Sequence, residues 1–115
     1  LPAKAMIAKQ RIYAADKSAL LQACRQMLAN RDSYRNDLNV SYLKKGDKVI
    51  DSEIGGITPD VPEITRQMKP RYVVIEGDQV RVMVHAPPRA GFIGFAEGAK
   101  QYGSDKLADG LWYIH

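Results

Sequence analysis

Between Asp16 and Asn30 the apolar positions recur at helical spacing, with Leu20, Cys24, Met27 and Leu28 forming a stripe that Ala19, Leu21 and Ala23 widen. Lys17, Gln22, Arg25 and Gln26 fill the outer side. The pattern predicts an amphipathic helix from about 16 to 30. Asp16 or Ser18 is placed to cap its first turn, and Asn30 with the polar run Arg31-Asp32-Ser33 ends it. Upstream, the stretch from Ala3 to Ala15 fits either a further helix or an extended arm, since Ile7, Ile12 and Tyr13 do not choose between the two periods.

Residues 34–54 are poorly patterned. Leu38, Tyr42 and Leu43 suit a short helix, whereas Val40 to Leu43 and Lys48 to Ile54 suit a hairpin across Lys44-Lys45-Gly46-Asp47. After Gly55-Gly56, the run from Thr58 to Glu63 reads as a helix start. Asp60 with Glu63 resembles a capping box, and Thr58 before Pro59 is a competing cap. Val61, Ile64 and Met68 give it a narrow apolar stripe, and Pro70 stops it by pushing Lys69 out of helical geometry.

From Arg71 onward the period changes to two. Tyr72 to Glu76 and Gln79 to His85 flank Gly77-Asp78, a pair that suits a tight hairpin turn. In the second of these strands Val80, Val82 and Val84 share one face, and Arg81, Met83 and His85 the other. A strand from Phe92 to Glu97 follows the loop 86–91, and Leu111 to Ile114 pairs with Lys106 to Ala108 across Asp109-Gly110. The expected fold class is therefore α+β: an N-terminal amphipathic helix and a short second helix packed on one face of a three- to five-stranded antiparallel meander sheet. At 115 residues, the chain is expected to be a single domain, with a basic helical segment at about 1–33 and a sheet-rich part at about 71–115.

Charge changes this picture only at the N-terminus. Residues 1–35 carry seven Lys or Arg against two Asp, a net +5, while 36–70 sum to −1 and 71–115 to zero. Such a segment suits an acidic membrane surface, a nucleic-acid backbone or simply a solvated helix face. The RNP pattern of base-stacking sheets is missing and the aromatic-rich half is neutral, so nucleic acid is the weaker of the two partners. No run of about 20 apolar residues exists to span a bilayer. The chain opens on Leu1-Pro2, which fits the soluble part of an exported or membrane-tethered protein whose signal or anchor lies upstream.

Catalytic motifs are not matched. Cys24 stands alone, without a disulfide or zinc partner, and reads as a small buried hydrophobe. Gly91 to Gly98 lacks the lysine of a P-loop and the spacing of a dinucleotide fingerprint, and its glycines suit close packing in a strand. Asp47, Asp60 and Glu63 are explained by turns and caps. No metal or cofactor is expected. The residues that attract a ligand hypothesis are His85, Arg89 and Arg81, at the end of a strand and in the loop Ala86-Pro87-Pro88-Arg89 beside it.

Three functional expectations result. The first is a non-enzymatic binding or assembly module that meets a protein partner or an acidic membrane surface. In outline, a helix feeding an antiparallel sheet resembles the headgroups of pilin-like subunits, which implies assembly. The second is a small-ligand domain or small enzyme with a site at the sheet rim near His85 and Arg89. The third is nucleic-acid binding through the basic N-terminal segment.

Overall fold

A computed structural model describes residues 2–115. Helices α1 (Ala3–Ala14), α2 (Lys17–Ala29) and α3 (Glu63–Gln67) pack against a sheet of six antiparallel strands. The strands are β1 (Lys48–Asp51), β2 (Tyr72–Glu76), β3 (Gln79–His85), β4 (Ala90–Phe95), β5 (Asp105–Ala108) and β6 (Leu111–Ile114). The α+β class is as expected, but six strands are present rather than three to five. Their spatial order is β1-β2-β3-β4-β6-β5, so the meander breaks once, where the chain passes beyond the place of β6 to lay down β5 at the edge.

The stretch from Ala3 suits a helix, being rich in alanine with proline only at its start, where a missing N–H costs nothing, and the sheet beneath it selects that helix. Ala5, Ala8 and Ile12 turn inward, and two of these are small enough to let the helix lie close to the sheet. Asp16 ends the run, its Oδ1 accepting from the Ala19 N–H at 3.0 Å as the cap of α2. Lys17 donates back to the carbonyls of Tyr13 and Ala15, closing the C-terminus of α1. Leu20, Ala23, Cys24 and Met27 of α2 are buried. At their closest approach to β4, a Cβ placed on Gly94 would come within 2.5 Å of the Cys24 side chain. The glycine-rich stretch is thus a packing device, as its strand pattern implies.

The core lies between the helices and one face of the sheet, where Val73, Ile75, Val80, Val82 and Phe92 meet Ile12, Leu20 and Met27. A second, smaller cluster of Met83, Ile93, Phe95 and Ile114 forms on the opposite face. The segment 96–104 folds back over part of it. Tyr102 stacks edge-on against Phe95 at 5.3 Å and donates to Gln79 Oε1 at 2.6 Å. Gln101 Oε1 accepts from both Trp112 Nε1 and the Gly110 N–H, at 2.9 and 2.8 Å. Trp112 anchors this second cluster and not the main core.

Residues 34–54 form neither the short helix nor the hairpin. Instead β1 pairs with β2, and residues 36–37 run along its outer edge. Asn36 Oδ1 accepts from the Val49 N–H at 2.9 Å, Asp37 Oδ2 accepts from the Asp51 N–H at 2.7 Å, and the Asp37 N–H donates to the Val49 carbonyl at 2.7 Å. Side-chain oxygens here replace a strand partner, which protects the edge without a further ladder. The capping box at Asp60 and Glu63 is also not made: Pro62 precedes α3 with no side-chain cap, and the Thr58 hydroxyl donates to Asp60. Pro70 does end the helix, leaving Lys69 at φ +53°. The strand expected at Phe92 to Glu97 is shifted to Ala90–Phe95.

Candidate functional site

Three elements converge at one end of the sheet. The N-terminal half of α1 lies beside the loop that joins β3 to β4, and the last residues of β6 close the other side. A cleft of about 300 Å³ is bounded by Ala5 and Lys9 from α1, Pro88 and Arg89 from the loop, and Tyr113 and His115. A second cleft, of about 210 Å³, lies against the other flank of α1 and is lined by Lys4, Ile7, Arg11, Lys69, Val84 and His85. No carboxylate side chain lines either cleft.

The three residues singled out in the sequence do not form one site. Arg89 belongs to the first cleft, where its Nη2 donates to the His115 carbonyl at 3.0 Å. His85 belongs to the second. Its Nδ1 lies 2.9 Å from the Pro88 carbonyl, which can only accept, so Nδ1 donates to it and Nε2 is left for the cleft. Arg81 is elsewhere, half-buried on the sheet face away from the helices and between Val74 and Ile93 in register. The Ala86–Pro87 and Pro87–Pro88 bonds are cis, and Arg71 Nη1 donates to the Ala86 carbonyl at 2.8 Å, tying the loop to β2.

Lys9 is the residue that sequence reasoning missed. Its Nζ lies 5.4 Å from the centre of the Tyr113 ring and 5.6 Å from that of Tyr13, and the two rings are 5.3 Å apart. This is a cation held over aromatic faces. Burial raises the phenol pKa of Tyr113 above its usual value, and Tyr13 and Asp105 beside it add to the effect. Burial raises Tyr13 in the same way, reinforced by Asp105, whose Oδ2 accepts from its hydroxyl at 3.4 Å. Both phenols therefore stay neutral and place no negative charge near Lys9. Had the 3.6-residue period been applied to Ala3–Ala14, it would have put Lys4 and Arg11 on one flank and Lys9 on the other.

Of the 17 Lys and Arg, 12 have no carboxylate side chain within 4.0 Å among the described residues, and five of these gather at this end. Arg25, Arg31, Arg35, Arg71 and Lys106 each lie within 4.0 Å of a carboxylate. Lys4, Lys9, Arg11, Lys69 and Arg89 have no carboxylate side-chain partner among the described residues. Asp105 stands beside Tyr13 and Tyr113, behind the rings that Lys9 covers, and Asp16 stands at the C-terminal end of α1. Unanswered positive charge over an apolar floor favours an anion.

Other candidates resolve into structural roles. Cys24 is buried and its thiol is pushed up to about 12, chiefly by burial. Asp47 is buried and accepts from the backbone N–H groups of Lys44 and Gly77 at 2.9 and 3.3 Å, holding two turns together. Phe92 and Tyr113 face the helices, and Phe95 lies beneath Tyr102, so the sheet does not offer the exposed aromatic face that base stacking requires. Among the described residues no group of three His, Cys, Asp or Glu is placed to hold a metal ion, and no helix is long and apolar enough to cross a membrane. Comparisons with protein-family models, curated proteins and solved structures give no match to this chain. What fold and site define together is an α+β domain with a basic rim whose clefts no carboxylate side chain lines.

Proposed function

We propose that this domain is a non-enzymatic docking module that engages an anionic partner through the rim formed by α1, the proline loop and the end of β6. The observation that carries this reading is the set of cations without a carboxylate side-chain partner, Lys4, Lys9, Arg11, Lys69 and Arg89, gathered around two clefts that no carboxylate side chain lines. Cations elsewhere such as Lys44, Lys45 and Arg66 also have no carboxylate within 4.0 Å among the described residues, so what sets the rim apart is that five such cations gather around clefts that no carboxylate side chain lines. A surface that retains like charges in one place sacrifices a little stability for attraction to a partner.

The test is a titration of the chain with poly-glutamate, anionic vesicles and duplex DNA at low and high ionic strength. At least one anionic probe should bind at low salt, and binding should weaken as salt rises. Replacing Lys4, Lys9 and Arg89 together by Gln should abolish it. If no probe binds the parent chain at low salt, the reading is wrong.

A second reading rests on the shape of the first cleft. Its volume of about 300 Å³ reaches the lower range of small-molecule sites, and it pairs two cations with an aromatic wall. The ligand class is a small carboxylate or phosphate with a flat apolar body. Benzoate and phenyl phosphate are suitable probes, with NMR shifts expected at Tyr113, Lys9 and Ala90. Shifts spread over the whole surface, or absent, would remove this reading.

A further inference from the structure

The solvent side of α1 is unusual for a surface helix. Ala3, Ile7, Gln10 and Ala14 follow one another at three- and four-residue steps and, with Met6 beside them, form its outermost ridge, opposite the buried Ala5, Ala8 and Ile12. All five are exposed and none is charged. Met6 retains 45% and Ile7 52% of its accessible surface, and Tyr13 beside them retains 40%. Positive charge lies along both sides of this ridge. Lys9 stands on one flank and continues into Arg89, while Lys4 and Arg11 stand on the other and continue into Lys69.

We infer that this ridge lies on an anionic bilayer surface, with Met6 and Ile7 entering the headgroup boundary and the flanking cations meeting lipid phosphates. The inference rests on the docking reading above and names its partner. An apolar line bordered by cations matches a helix lying in the plane of an interface, because long basic side chains keep their stems on apolar surface while their heads reach outward. A two-fold contact between copies on this ridge would bring Lys4, Lys9 and Arg11 of both chains together with no acid to answer them. A helix of 12 residues is also only about 18 Å long, and its exposed ridge is narrow beside the roughly 800 Å² that each partner gives to a stable protein interface. A bilayer needs no such area from one contact, since it surrounds whatever it admits.

Flotation of the full chain with vesicles of phosphatidylcholine alone, or mixed with phosphatidylglycerol, tests this, run beside a poly-glutamate titration. The chain should float only with the anionic vesicles, and less as salt rises. Lys4→Gln with Lys9→Gln should weaken partitioning about 25-fold, taking about fivefold for each charge. Met6→Ser with Ile7→Ser should weaken it about tenfold at unchanged charge. The thermal transition of that variant should not move, because neither side chain is in the core. Binding to poly-glutamate without binding to anionic vesicles overturns the bilayer inference and leaves the docking reading standing. Binding to neither overturns the bilayer inference, and overturns the docking reading too when duplex DNA also fails to bind. Vesicle binding that Met6→Ser with Ile7→Ser leaves intact also overturns the inference, since the ridge would then take no part.

Discussion

Asp37 holds Arg35 with both carboxylate oxygens, Oδ1 accepting from Nε at 2.8 Å and Oδ2 from Nη2 at 3.0 Å. The same Oδ2 accepts from the Asp51 N–H on the edge of β1, while Arg35 reaches on to Thr58 Oγ1 at 3.0 Å and to the Gly56 carbonyl. One ion pair thus joins the irregular segment, the edge strand and the loop ahead of α3.

Hydrogen bonds from Arg35 hold the Asp37 carboxyl below the usual carboxylate range, helped by the Asp51 N–H and opposed by burial. An unfolded Asp titrates near its ordinary value of about 4. The native state therefore prefers the ionised form. Its contribution is complete above that ordinary value and is lost as pH falls through the lower native one. Asp37→Asn should cost about 1–3 kcal/mol at neutral pH, and the gap should narrow in acid. Urea melts of both chains at neutral pH and near pH 3 measure this; an equal gap at both would contradict it.

Cys24 and Gly94 give a prediction about packing and one about reactivity. Gly94→Ala puts a methyl where the Cys24 side chain already lies, and overpacking of this kind costs about 1–3 kcal/mol. Burial keeps the thiol protonated as well as covered, so a thiol reagent should label the native chain only as fast as it opens. Labelling at the rate of a free thiol in native buffer would show that α2 does not sit on β4 as described.

Trp112 is the only tryptophan, and its indole N–H shares Gln101 Oε1 with the Gly110 N–H. Gln101→Ala removes an acceptor used twice and should cost about 1–2 kcal/mol. It should also alter tryptophan emission before the main transition begins, because the segment 96–104 loses its tie to β6. Unchanged emission would place the indole N–H in contact with something other than Gln101.

Leu20 and Met6 separate the core from the rim. Leu20 is fully buried in the main cluster, and Leu20→Ala should cost about 3–5 kcal/mol. Met6→Ser, on the exposed ridge of α1, should change stability by less than about 0.5 kcal/mol. Thermal melts distinguish the two. A large loss at Met6 would mean that α1 is covered by something the chain itself supplies.

Local chemistry determined a good part of this molecule. The stripe Leu20, Cys24, Met27 made α2 legible, and Asp16 made its first turn legible, because period and capping act within a few residues. The Gly77-Asp78 turn set the register of β2 against β3, since a two-residue loop leaves one choice. Pro70 ended its helix for the same local reason.

Only the tertiary structure decided the rest. Whether Ala3–Ala14 became helix or arm depended on a sheet for Ala5, Ala8 and Ile12 to lie against. The partner of β1 depended on Asn36 and Asp37 capping its free edge, and nothing within that short strand reveals such a neighbour. The rim depended on distance along the chain. His85 and Arg89 are four residues apart yet fall on opposite sides of α1, while Lys9 and Tyr113 are far apart in sequence and meet. Periodicity fixes which way a side chain points within its own element; only packing fixes what stands opposite it.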